Sequence, residues 1–149
     1  PNNTGNIGRT CVATGCAQYG GDHAVRIFDT ATGKEVAALK GHTGGVCGIA
    51  WTRGGDRLVT GSGDQTVTVW DVKTGAALRK MTHGTTVFHV AVTPDGKHAV
   101  SVGEDSNVRI WDLESGKQAA VNTDSKGGVR GVRMMPDGKH FVTTGSDLS

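Results

Sequence analysis

Apolar side chains alternate with small or polar ones in short runs along the whole chain, and almost every run ends in a turn. Val46–Trp51 places Ile49 and Trp51 on one face and Gly48 and Ala50 on the other. Val87–Val92 sets Val90 and Val92 against His89 and Ala91, and 129–134 sets Val132 and Met134 against Gly131 and Arg133. A two-residue period belongs to a strand, and no stretch keeps the 3.6-residue period of a helix. The runs predict strands over 10–14, 24–28 and 35–39, four each within 46–80 and 87–121, and two more over 129–134 and 140–144. Thirteen strands and no helix predict an all-β, antiparallel fold.

The turns fall where such strands need them. A glycine stands four residues after Asp29, Asp71 and Asp112, at Gly33, Gly75 and Gly116, as the left-handed corner of a short hairpin requires. Pro94-Asp95-Gly96 and Pro136-Asp137-Gly138 are strong turn formers, and Arg53-Gly54-Gly55 holds the corresponding place earlier in the chain.

These pieces recur on one beat. Val25-Arg26-Ile27-Phe28-Asp29 returns as Val67-Thr68-Val69-Trp70-Asp71 after 42 residues and as Val108-Arg109-Ile110-Trp111-Asp112 after a further 41. That is the length of one four-stranded blade rather than of a helix pair or a whole domain. The beat divides residues 1–149 into a partial unit over 1–40, full units over about 41–81 and 82–122, and a partial unit over about 123–149. A little over three such sheets make an incomplete ring with open edges. We expect those edges to be covered by further sequence, by another chain or by self-association.

Composition narrows the classes of function. Glycine supplies 24 of the 149 residues, against a usual share of about 7%, and gathers in the turns. Sixteen basic and fourteen acidic residues leave a net charge of +2. Lys34, Arg53, Lys73, Lys97, Lys117 and Lys139 are spread over successive turns, a solvated rim rather than a nucleic-acid track. No apolar run approaches the roughly 20 residues of a membrane span, so no membrane partner is expected. Cys11, Cys16 and Cys47 lack the spacing of a four-ligand metal site, and no phosphate-cradling glycine loop precedes a helix, so neither metal nor cofactor is expected. An odd cysteine count without a disulfide framework, and no leader segment, predict a cytoplasmic location.

The repeat also carries fixed polar marks. Gly41-His42, Asp64 and Trp70-Asp71 are followed in register by His83, Asp105 and Trp111-Asp112, with 22 residues from each histidine to its aspartate and 28 to its tryptophan. On these residues the chain resembles the WD-repeat β-propeller family over nearly all of its length, and its turn phrasing is similar to bacterial members. The resemblance implies a hydrogen-bonded network in each blade, made of His42, Thr60, Asp64 and Trp70 in the second unit and of His83, Ser101, Asp105 and Trp111 in the third. The chemistry is self-consistent: a carboxylate accepts from an imidazole, the imidazole reaches a hydroxyl, and the hydroxyl accepts an indole N–H. Phe28 replaces tryptophan in the first unit and Ser125 replaces histidine in the last, where Thr143 and Asp147 persist. The outer units are therefore expected to be less tightly networked than the inner pair.

The His–Asp pairs repeat with the fold and no nucleophile recurs beside them, so they read as structural and no catalytic residue is expected. The function expected is a non-catalytic protein-interaction scaffold. The alternative is a regulatory or substrate-recruiting propeller region of a larger signalling or enzymatic protein. Candidate contact residues lie where units differ: Gln18 and Tyr19 in the longer loop of the first unit, and Gly63, Glu104 and Ser146 just before the turn aspartates. The resemblance adds Gly44, Thr85 and Lys126 beyond the glycine–histidine step.

Overall fold

The computed structural model describes residues 22–123 and 128–146 in full and residues 11–14 as backbone. Gln18, Tyr19 and Lys126, together with Cys16, Ser125 and Asp147, lie outside the described residues. The described residues hold thirteen strands: β1 (Cys11–Thr14), β2 (Val25–Asp29), β3 (Glu35–Leu39), β4 (Val46–Trp51), β5 (Arg57–Ser62), β6 (Thr66–Asp71), β7 (Ala77–Thr82), β8 (Val87–Val92), β9 (His98–Gly103), β10 (Val108–Asp112), β11 (Gln118–Asn122), β12 (Gly128–Met134) and β13 (Phe141–Ser146). They form four antiparallel sheets in chain order, β1-β2-β3, β4-β5-β6-β7, β8-β9-β10-β11 and β12-β13. This is an all-β array of propeller blades, and the two middle sheets carry the full four strands.

Turn chemistry sets the hairpins. Gly75 takes φ +73° where the β6–β7 hairpin closes, with its N–H on the Asp71 carbonyl, and Asp71 accepts from the Thr74 N–H and hydroxyl. At the other class of turn, Gly96 takes φ +70° while Asp95 accepts from the Lys97 N–H and the Thr93 hydroxyl. A side chain would oppose both backbone conformations. The residues after Asp22, Asp64 and Asp105 are also left-handed, at His23, Gln65 and Ser106.

The apolar core lies between sheets rather than within one. Val25, Ile27 and Leu39 of the first sheet meet Val46, Leu58 and Trp70 of the second. Val59, Val69 and Met81 of the second meet Val87, Val90 and Trp111 of the third. Val100, Val102 and Val108 of the third meet Val129 and Val132 of the fourth. Strand β8 lies beside β4 on one side and β12 on the other, so the first strand of each unit stands at the inner edge of the array.

Those inner strands share an irregularity. Register slips by one residue between Val46 and Gly48 in β4, between Val87 and His89 in β8, and between Val129 and Gly131 in β12. Each is a β-bulge, which inserts one unpaired residue and re-aims it. The inserted residues are Cys47, Phe88 and Arg130. Steps of 41 and 42 residues separate them, so the bulge belongs to the repeat itself.

Candidate functional site

The second sheet contains a closed polar chain. Trp70 Nε1–H donates to Thr60 Oγ1 at 2.9 Å, and Thr60 Oγ1 lies 2.7 Å from His42 Nε2. His42 Nδ1 lies 2.8 Å from Asp64 Oδ2. One neutral tautomer satisfies every contact, with Nδ1–H donating to the carboxylate and Nε2 accepting the hydroxyl proton. Asp64 further accepts from the Thr66 hydroxyl at 2.6 Å and the Thr43 N–H at 3.1 Å. Burial opposes the charge on Asp64, yet the Thr66, His42 and Thr43 hydrogen bonds outweigh it and hold the pKa far below the usual carboxylate range. Burial also lowers the pKa of His42, against the pull of Asp64. The result is a neutral imidazole held between an ionised carboxylate and a hydroxyl.

The third sheet departs from the expected network. Trp111 Nε1–H still donates to Ser101 Oγ, at 2.7 Å. Among the described residues, however, no hydrogen bond joins His83 to Ser101 or to Asp105. Arg109 holds the carboxylate instead, through Nη1 to Oδ1 at 3.1 Å and Nη2 to Oδ2 at 2.6 Å. His83 is left with Thr85 Oγ1 at 3.3 Å from Nδ1 and Arg109 Nη1 at 3.4 Å from Nε2. Burial, reinforced by the Arg109 charge, pushes the His83 pKa down to about 4. The physical reason is competition for one acceptor, since a guanidinium offers two charged donors where a neutral imidazole offers one. The two inner units are therefore not networked alike.

The first sheet carries the same aspartate–arginine pair. Asp22, Asp64 and Asp105 occupy equivalent turns, and the residue four places on is Arg26, Thr68 and Arg109. Arg26 Nη2 donates to Asp22 Oδ2 at 2.8 Å and its Nη1 to Glu35 at 3.2 Å. Thr68 is too short to reach its aspartate, and its buried hydroxyl finds no partner among the described residues. Where an arginine stands at this place it holds the turn aspartate, and where Thr68 stands the aspartate pairs with His42.

The ends of the sheets differ. At one end lie the bulges and the loops between the second and third strands of each unit. Gly63 N–H donates to Gly45 O at 2.8 Å and Glu104 N–H to Thr86 O at 3.0 Å, while Ser146 pairs in register with Gly128. Gly63, Glu104 and Ser146 are exposed there. Gly44 is fixed by packing, because a Cβ would come within 2.6 Å of the Asp64 nitrogen, and Thr85 turns its hydroxyl toward His83. The bulges add three residues that alternation alone does not single out. Cys47 and Arg130 are exposed, Phe88 is half-buried, and the Arg130 guanidinium carbon stands 5.6 Å from the centre of the Phe88 ring. Burial pushes the Cys47 thiol pKa up, so it is held neutral.

Among the described residues, no group of three or more His, Cys, Asp or Glu side chains is placed to hold a metal ion, and no helix is long and apolar enough to cross a membrane.

Comparison with known proteins agrees with this architecture. Residues 33–71 and 75–112 match the family model described as WD domain, G-beta repeat. The chain is similar to WD repeat-containing protein 1 of Bos taurus, with 36% identity over 69 residues, covering 44% of this chain and 11% of that protein. It is similar to Retinoblastoma-binding protein 5 homolog of Drosophila melanogaster, with 33% identity over 85 residues, covering 57% of this chain and 17% of that protein. Among solved structures, Kuenenia stuttgartiensis Hydrazine Synthase shares the fold at a TM-score of 0.75 and 22% identity, covering 81% of this chain and 35% of that one. The chain thus spans a small part of these proteins.

Proposed function

The chain belongs to the WD domain, G-beta repeat family, and on that premise we propose that it is a protein-interaction scaffold whose contact surface is the bulge-bearing end of its sheets. The observation that carries this reading is the bulge shared by β4, β8 and β12, which turns Cys47, Phe88 and Arg130 out beside exposed Gly63 and Glu104. Each bulged residue follows a buried valine, Val46, Val87 or Val129, that anchors its strand in the core, so a partner meets it preorganised and loses little entropy on binding. Aromatic and arginine side chains are the usual energetic anchors of such contacts. The name of the Drosophila relative, a retinoblastoma-binding protein homolog, supports protein recognition as the class. The Asp64–His42 brace holds the adjoining loop in place and does not meet the partner.

A second reading is supported by the small share of each relative that the chain spans: the same surface recruits a substrate or regulator for a larger signalling or enzymatic protein. Affinity capture with wild-type protein and F88A, run side by side on samples of equal melting temperature, tests the location. A partner retained by wild type and lost from F88A is expected; one held equally by both contradicts it.

A further inference from the structure

The bulge end also carries information about the chemistry of what it binds, an inference that rests on the interaction surface proposed above. Arg130 is exposed, and among the described residues no carboxylate pairs with it. Arg26, Arg57 and Arg109 each have an acidic partner. Arg130 instead has the ring of Phe88, 5.6 Å from its guanidinium carbon to the ring centre. A ring attracts the cation without neutralising it, so the guanidinium can still take a carboxylate in two parallel bonds. Phe88 is half-buried on β8, between the strands that carry the Cys47 and Arg130 bulges, so part of its apolar surface is open to a partner. Cys47 adds an uncharged surface on the next inner strand.

We propose that this end takes an extended segment of a partner protein that carries an aspartate or glutamate on Arg130 and a bulky apolar side chain against Phe88 and Cys47. Side chains on one face of an extended segment recur every ~6.8 Å, two residues at about 3.4 Å each. The guanidinium and ring lie 5.6 Å apart, so one segment reaches both, and side chains two residues apart on its face are the pair proposed. Glu104, exposed at the same end, opposes a run of carboxylates or a phosphate backbone. One negative charge beside neutral apolar groups suits the surface better than a polyanion does.

Selection of random dodecapeptides displayed on phage against wild-type protein, R130E and F88A tests the proposal. Wild type is expected to enrich peptides with Asp or Glu two residues from Leu, Ile, Met or Phe. R130E and F88A, at unchanged melting temperature, should each bind a synthetic form of the leading peptide at least about tenfold more weakly. Enrichment of basic peptides, no enrichment, or equal binding by R130E would overturn it, as would binding of a single-stranded oligonucleotide that R130E abolishes. Should a natural partner require Phe88 while selected peptides show no acidic residue, the surface stands and the assigned partner chemistry falls.

Discussion

Arg109 grips both carboxylate oxygens of Asp105, at 3.1 and 2.6 Å, and so withholds from His83 the partner that Asp64 gives to His42. The two inner sheets share fold and period, yet in one the aspartate joins the tryptophan–hydroxyl pair through histidine, while in the other arginine takes the aspartate and the Trp111–Ser101 pair stands apart from it among the described residues. Exchanging the residues at this place should exchange the networks. In R109T the His83 ring loses its cationic neighbour, and its pKa should rise from about 4 toward the ordinary value of 6.5. In T68R the guanidinium should draw Asp64 from His42. Titration of the imidazole resonances by NMR reads both, and unchanged titration curves would show that the arginine does not decide the pairing.

Removing the shared carboxylate of the second sheet should be costly. D64A leaves the His42 ring and the Thr43 N–H without their acceptor, an expected loss on the order of 1–3 kcal/mol in denaturant unfolding. E104A removes an exposed side chain and should stay within about 0.5 kcal/mol of wild type. Equal losses would contradict the separation of brace from contact surface.

Thr68 offers the opposite case. Its side chain is buried with an unpartnered hydroxyl, and valine has nearly the same shape without the polar atom. T68V should leave stability unchanged or raise it by about 1 kcal/mol. A loss of that size would mean that the hydroxyl has a partner in solution.

Acid should weaken the fold in a defined window. An unfolded imidazole titrates near 6.5 and the folded His83 near 4. Between these values the unfolded chain binds the extra proton, so stability is full above about pH 6.5 and falls as the pH drops toward 4, by an amount on the order of 3 kcal/mol from His83. His42 is shifted in the same direction and adds to the slope. Asp64, held low in the folded state, loses its contribution only at lower pH, as the unfolded carboxyl protonates near 3.8. Urea unfolding across this window should give a shallower slope for H83Q than for wild type, and parallel curves would contradict the assignment.

The fold was legible because the two-residue alternation, the turn glycines and the 41-to-42-residue beat all point to the same unit. Two features were less so. The interval from His83 to Asp105 equals that from His42 to Asp64, and spacing alone does not say which donor wins a carboxylate. The deciding signal was Arg26, Thr68 and Arg109, four places after each aspartate, where a charged fork outcompetes a neutral ring. Regular alternation through the inner strands hides the row of bulged residues. Val46 and Ile49, Val87 and Val90, and Val129 and Val132 stand three apart, an odd interval that puts an extra residue between two inward-facing side chains. That phase slip marks Cys47, Phe88 and Arg130.

A photo-crosslinking amino acid placed at residue 88, and separately at residue 114 in the β10–β11 hairpin of the opposite end, tests the account most directly. The full-length protein should crosslink its partner from 88 and not from 114. Crosslinking from 114 with none from 88 would contradict the claim that the bulged end is the surface this protein uses.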